Sequence, residues 1–158
     1  MITIENLNFG YSEKRILTVP HMEIKEKQHL MILGKSGSGK TTLLHILGGL
    51  LKPVEGKVII DETNLYQLSG SEMDKYRGQN IGLVFQKAQR ETIARALLNK
   101  PRVILADEPT ASLDDDNANS VIQLLKEQAE SNNASLIIAT HDQRVKDAFD
   151  LQLNLNEQ

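Results

Sequence analysis

The run Gly34-Lys35-Ser36-Gly37-Ser38-Gly39-Lys40-Thr41 fits the pattern G-x-x-x-x-G-K-[ST] without a mismatch. The apolar stretch Leu30–Leu33 stands directly before it, and residues 42–51 carry a helical pattern after it. Strand, glycine-rich loop and helix in that order make an anion site. Glycines let consecutive backbone N–H groups converge on one point, and the helix directs its positive end at the same place. Lys40 is then placed to reach the β- and γ-phosphates of a nucleotide, and the Thr41 hydroxyl to bind Mg²⁺. Read together, Gly34, Lys35, Ser36, Gly37, Ser38, Gly39, Lys40, Thr41 and Thr42 form a cradle for a nucleoside triphosphate.

Around this loop the chain alternates between strand and helix patterns. Ile2, Ile4 and Leu7 open a strand, and residues 14–24 read as a second, antiparallel strand broken at Pro20. Pro53-Val54-Glu55-Gly56 marks a turn, residues 57–61 a strand, 71–76 a short helix and 81–85 another strand. Residues 88–99 are helical, with Ile93, Ala96 and Leu97 on one face. Residues 103–106 form a continuous apolar strand of the kind buried on both faces. In 114–130, Ala118, Val121, Ile122, Leu125 and Ala129 make the apolar stripe of an amphipathic helix. Asp114, Asp115 and Asp116 crowd its first turn, where the helix dipole favours acids. Residues 136–139 are expected to be the final buried strand. Antiparallel pieces followed by alternating strands and helices predict an α/β sandwich with a mainly parallel core sheet and an antiparallel N-terminal β-subdomain.

Composition narrows the class. The chain has 158 residues, 40% of them hydrophobic and 25% charged, which suits one domain spanning 1–158 with a real core. A net charge of −3 gives no basic face, so no nucleic-acid partner is expected. Absence of cysteine removes disulfides and thiolate metal sites. Met1-Ile2-Thr3-Ile4-Glu5-Asn6 lacks the basic and apolar regions of a signal peptide, and no apolar run has the length of a membrane span. Any membrane association is expected to come through a partner.

A second chemical signal lies at Val103-Ile104-Leu105-Ala106-Asp107-Glu108-Pro109, an apolar strand ending in two carboxylates. Nucleotide sites of parallel sheets lie beyond the carboxyl ends of the strands, so these acids face the phosphates. Asp107 is expected to hold Mg²⁺ through its water shell, and Glu108 to orient and polarise the attacking water.

With these motifs in place, the chain resembles the nucleotide-binding subunit of an ATP-binding-cassette (ABC) transporter over nearly its whole length and in motif order. The resemblance implies an ATPase that binds and hydrolyses Mg·ATP to power an integral-membrane permease. It also implies an ATP-dependent pair with a second ATPase subunit and a peripheral place on the cytoplasmic face of a bacterial cell membrane. Ala111-Ser112-Leu113-Asp114 resembles the family's D-loop, which meets the partner subunit. Ala139-Thr140-His141-Asp142 resembles the switch-histidine segment, so His141 is implied to sense the γ-phosphate and support the attacking water. Asn8-Phe9-Gly10-Tyr11 resembles the segment supplying an aromatic under the adenine, and Tyr11 is the candidate; such stacking is worth roughly 1–3 kcal/mol. Tyr66-Gln67-Leu68-Ser69, with Arg77 further on, is similar to the bacterial lipoprotein-releasing and macrolide-export branch.

The family carries a helical subdomain and the signature L-S-G-G-Q between its Q-loop and the helix before the second carboxylate motif. Here Ile81-Gly82-Leu83-Val84-Phe85-Gln86, which resembles the strand entering the Q-loop, runs directly into Lys87-Ala88-Gln89-Arg90, which resembles the start of the helix after the signature. The helical subdomain is therefore expected to be missing at about 86–88. Gln86 is either the Q-loop glutamine, which contacts Mg²⁺ and water, or the last residue of a shortened signature. Leu68-Ser69-Gly70 precedes the Q-loop, and Ser69 or Ser71 reads as a helix cap. In the family one subunit's signature closes over the ATP of the other, so this chain on its own is expected to be a monomer. Two other readings stand beside the transporter ATPase. One is a catalytically crippled module that binds ATP without turnover; the other is the ATPase head of a DNA-repair or chromosome-maintenance protein, against which the acidic balance argues.

Overall fold

Pairing geometry, more than any single helix, sets this fold. A computed structural model describes the backbone of residues 1–11, 14–85 and 90–157. Strands β1 (Ile2–Tyr11) and β2 (Lys14–Ile24) pair antiparallel, and the sheet continues through β4 (Glu55–Ile60) and β5 (Thr63–Asn64) in the order β2-β1-β4-β5. A second sheet holds β3 (Leu30–Leu33), β6 (Ile81–Val84), β7 (Val103–Asp107), β8 (Ser135–Thr140) and β9 (Leu151–Asn154). Its order is β6-β7-β8-β3-β9, and every pairing in it is parallel. Helices α1 (Lys40–Leu47), α2 (Gly70–Asn80), α3 (Arg90–Leu97) and α4 (Asp115–Ser131) connect the strands.

Strand periodicity divides the apolar residues between two layers. Leu30, Ile32, Val103, Leu105, Ile137 and Ala139 face the antiparallel sheet and α1. Met31, Leu33, Ile104, Ala106, Leu136 and Ile138 face the opposite way, onto Ala118, Ile122, Leu125 and Ala129 of α4. Each Val, Leu, Ile or Met among these contributes about 1.5–3 kcal/mol by leaving water. That both faces are covered explains why these strands read as unbroken apolar runs.

Several expectations need correction. Pro20 does not break β2. The register passes through it unchanged, with Glu5 opposite His21 and Leu7 opposite Val19. What changes is phase. The buried set moves from Ile2 and Ile4 to Leu7 and Phe9 on β1, and from Ile24 to Val19 and Leu17 on β2. Asn6, at φ 48°, takes up the extra residue as a bulge against β4. Pro20 is tolerated because β2 is an edge strand, where a missing N–H costs no ladder bond. The turn at 53–56 is shorter than expected, since β4 already begins at Glu55. Helix α1 stops at Leu47 rather than 51, because Gly48 caps it and Gly49 follows at φ 65°. Helix α2 runs longer than 71–76, started by a capping box in which Ser69 accepts from the Glu72 N–H and Glu72 accepts from the Ser69 N–H. Residues 136–139 are not the final strand: β9 follows and pairs with β3.

Helix α3 ends at Leu97, short of 99, and residues 88–89 of its expected start lie outside the described residues, as do Gln86 and the join at 86–88.

His29 offers a test of the packing. The Leu136 N–H donates to its Nδ1 at 3.1 Å, a bond that needs the unprotonated nitrogen. Burial, and then Lys126, hold the imidazole pKa below 6.5, with Glu130 opposing. Its neutral form therefore supports the fold fully above pH 6.5, and that support is lost as pH falls from 6.5 toward the folded value. Replacement His29→Asn, which keeps an acceptor but cannot protonate there, should flatten the fall in melting temperature between pH 7.5 and 5.5. An unchanged slope would deny His29 this role.

Candidate nucleotide site

Strand β3 ends at Leu33, and the chain turns through residues 34–39 into α1. Gly39, at φ 95°, makes the turn in a conformation that a Cβ would strain, and it caps α1 with no side-chain acceptor on the first amides. The loop is tied from several sides. The Ser38 N–H donates to the Lys35 carbonyl at 3.1 Å, and the Lys35 N–H donates to Asn156 Oδ1 at 2.8 Å. Lys40, only 6% exposed, folds back so that Nζ donates to the carbonyls of Gly34 (2.8 Å) and Lys35 (3.1 Å). Ser38 Oγ is the one buried side-chain polar atom among the described residues with no hydrogen-bond partner. Lys35, Ser36, Gly37, Gly39, Lys40, Thr41 and Thr42 line an open cleft of about 800 Å³, which suits a nucleotide-sized ligand. Gly34 and Ser38 do not line it; Gly34 is buried beneath the loop and serves through its carbonyl.

The acids arrive from β7. Thr41 Oγ1 donates to the Asp107 carboxylate at 3.0 and 3.2 Å, across 66 positions of sequence. Burial raises the Asp107 pKa; the Thr41 hydrogen bond acts against this, as do His45 and Lys40, while Glu108 adds to it. A desolvated carboxylate beside a hydroxyl is a fitting donor pair for Mg²⁺, a hard ion that takes one or two protein oxygens and fills its shell with phosphate and water.

Glu108 sits at φ 47°, rare for a residue with a side chain, and its N–H donates to the Ala139 carbonyl at 2.8 Å. Its carboxylate lies 3.0 Å from His141 Nδ1 and 3.6 Å from Lys40 Nζ, and accepts from the Thr140 hydroxyl at 2.9 Å. His141 itself is exposed and lines the same cleft. A carboxylate and an imidazole in contact at the mouth of a phosphate cradle can accept and relay a proton.

Sequence reasoning missed four residues here and one beneath the loop. Thr140 and Asp142 flank His141 in the quoted segment, so a signal for them was present. Thr110 donates to Asp142 Oδ2 at 2.9 Å, and Arg144 forks onto both Asp142 oxygens at 2.8 and 2.7 Å. That fork is the main reason the Asp142 carboxyl is held down at about 2. Asn156 reaches Lys35 from 121 positions away, and no local pattern could announce it. Tyr66 and Arg77, singled out by the family resemblance, brace the end of α1: the Tyr66 hydroxyl meets the carbonyls of Ile46 and Leu51, and Arg77 donates to that of Gly49. The backbone of Tyr11 closes β1; its side chain and Gln86 lie outside the described residues.

Comparison with known proteins bears on the family and the fold. The sequence profile of the family described as ABC transporter matches residues 17–92. The lipoprotein-releasing system ATP-binding protein LolD of Shewanella sp. (strain MR-4) is 30% identical, covering 89% of this chain and 85% of that protein. The LolD of Syntrophotalea carbinolica (strain DSM 2380 / NBRC 103641 / GraBd1) is 29% identical over 95% of this chain and 92% of that protein. These matches run over 196 and 209 residues, more than the 158 of this chain, so both relatives hold residues that this chain skips. Among solved structures, the dimeric MJ0796, a bacterial ABC transporter cassette, superposes with a TM-score of 0.85 at 29% identity, covering 98% of this chain and 95% of that one.

Lys40 is the charge at the centre of the cradle. A hydrogen bond to a charged group is worth roughly 1.5–3 kcal/mol, and about 1.4 kcal/mol is tenfold in affinity. Lys40→Ala should weaken Mg·ATP binding at least tenfold in calorimetry; unchanged affinity would remove the phosphate-loop assignment.

Proposed function

Because this chain belongs to the ATP-binding subunits of ABC transporters, ATPases that drive transport, and lies near their lipoprotein-releasing branch, we propose that the cleft at residues 34–42 is its Mg·ATP site. The observation that carries this is the meeting of Lys40, Thr41, Asp107, Glu108 and His141 at one edge of the parallel sheet. The triphosphate lies along Ser36–Thr42, its oxygens accepting loop N–H groups. Lys40 gives up the carbonyls of Gly34 and Lys35 for the β- and γ-phosphates. Thr41 and Asp107 are the residues that would hold Mg²⁺, which supplies neutralisation of charge on the phosphates.

Glu108 orients a water in line with the γ-phosphorus and accepts its proton as the new P–O bond forms. The bond from that phosphorus to the β–γ bridging oxygen breaks, leaving ADP and phosphate. His141, which lines the same cleft, would sense the γ-phosphate and steadies the Glu108 carboxylate through its 3.0 Å contact. Tyr11 is proposed to stack under the adenine, and Gln86 to reach the metal and water. The transporter names of the relatives favour this reading over the crippled module and over a DNA-repair head, and the crippled module has no support among them.

The permease, the second ATPase subunit and the place on the cytoplasmic membrane face come to this chain from its family. Among the described residues no helix is long and apolar enough to cross a membrane. The segment that the relatives hold in excess is proposed to be the helical subdomain, skipped at about 86–88, where residues 85–89 alone separate β6 from α3.

Glu108→Gln keeps shape and one acceptor but loses the proton-accepting carboxylate. In a form of the protein with measurable turnover, the variant should bind Mg·ATP as the parent does and hydrolyse it about 10²-fold more slowly, within the range for loss of a general base. Full phosphate release would move the role elsewhere. A second expectation concerns the join. Donors aimed at transition-state charge are worth about 10²–10³ in rate each, and a signature loop would supply a set of them from the partner. The 158 residues alone should stay monomeric in light scattering with Mg·ATP and turn over far more slowly than the assembled transporter. An ATP-dependent dimer of these 158 residues would show that pairing does not need the skipped segment.

A further inference from the structure

Arg144 has no part in the chemistry described above, yet its side chain is heavily engaged near the cleft. It stands on the segment Gln143–Ala148 that follows His141. Nε donates to Asp142 Oδ1 at 2.8 Å and Nη2 to Asp142 Oδ2 at 2.7 Å, a two-pronged fork on one carboxylate. Nη1 donates to Asp115 Oδ1 at 2.6 Å, and both terminal nitrogens lie 3.2 Å from the Leu113 carbonyl. One planar group thus ties the start of α4 to the stretch just after His141.

The tie continues inward. Asp142 accepts from the buried Thr110 hydroxyl at 2.9 Å, its N–H donates to Thr140 Oγ1 at 3.0 Å, and Thr140 donates to Glu108 at 2.9 Å. Arg144 and Glu108 are therefore ends of one hydrogen-bonded path. Within residues 108–113 the backbone is under strain at two places, Glu108 at φ 47° and Ser112 at φ 67°. Such conformations persist only where the surroundings over-determine them. An ordinary exposed ion pair adds little. This one differs because Asp142 is only 10% exposed and is held by Thr110 besides. Lysine carries the same charge but cannot reproduce the fork.

We propose that Arg144 is a positioning residue: its guanidinium clamps residues 108–114 against the segment behind His141, and so holds Glu108 and His141 in register at the mouth of the cleft. The proposal rests on the reading of that cleft as the nucleotide site.

The test uses the whole chain, isotope-labelled, as parent, Arg144→Lys and Arg144→Gln. Amide exchange is followed by NMR together with the ring-nitrogen signals of His141. The Ala111 and Leu113 amides, which donate to the Glu108 and Thr110 carbonyls, should exchange at least tenfold faster in both variants. Amides of β3 and α1 should stay within twofold of the parent. The His141 ring signals should move toward those of a Glu108→Ala reference, in which the contact is gone. Mg·ATP titration of the parent runs alongside.

Three results would overturn the clamp. The loop and the ring signals stay as in the parent; exchange quickens equally everywhere, a general loss of stability; or Arg144→Lys behaves like the parent, which makes charge rather than the fork sufficient. Failure of the parent to bind Mg·ATP strikes the nucleotide reading instead, and the loop data still decide the clamp. Arg144 is a surface residue, 40% exposed, so its replacement opens no cavity in the core.

Discussion

Parallel pairing of β3, β8 and β7 is the constraint from which the site follows. In this register Leu33 lies beside Thr140, and Asp107 beside Ala139. All three strands therefore release their chains at one edge, so residues 34, 108 and 141 emerge together although the sequence scatters them. A parallel sheet allows this only with helices covering both faces, because each strand must return over the top before the next begins. Helix α4 makes that return between β7 and β8, and α1 leads away from β3 over the opposite face. Their apolar stripes bury the sheet, and their N-terminal ends stand at the same edge as the acids.

The interactions at that edge are closed upon themselves. Lys40 is satisfied by its own loop, Thr41 by Asp107, and Glu108 by Thr140 and His141. A ligand entering such a site exchanges one set of charge-assisted contacts for another, so much of its gross interaction energy is cancelled by the bonds it displaces. Selectivity then comes from geometry. An anion carrying a divalent cation would recover what it breaks, the anion on the loop amides and Lys40 and the cation on the Thr41–Asp107 pair.

Much of this was legible in the sequence, and what was not has physical causes. The turn from β3 into α1 was readable because its pattern is local: glycines, lysine and threonine at fixed spacing between a strand and a helix. Asp107 and Glu108 were readable because an apolar run ending in acids has few other uses beside such a loop. Strand β9 escaped because Leu-Gln-Leu-Asn is four residues long and only half-buried, so its hydrophobic signal is weak. Pro20 misled because proline forbids a central strand but not an edge one, and a sequence does not say which strand is the edge. The contact order of Arg144 and Asn156 hid them too. Apart from Asp142, two positions from Arg144, their partners lie 29 to 31 and 121 positions away, and a long-range hydrogen bond leaves no periodic mark.

The bond between Asn156 and the Lys35 amide also says something about time. Residues 34–41 leave the ribosome well before residues 151–156, yet one neighbour of β3 and one anchor of its loop come from that later stretch. Contacts so far apart in sequence close late, after the loop-closure entropy has been met. A nascent chain therefore holds the glycine-rich motif long before it holds the shape. The loop between β3 and α1 reaches its described setting only once residues 151–156 have been made and have paired beside it.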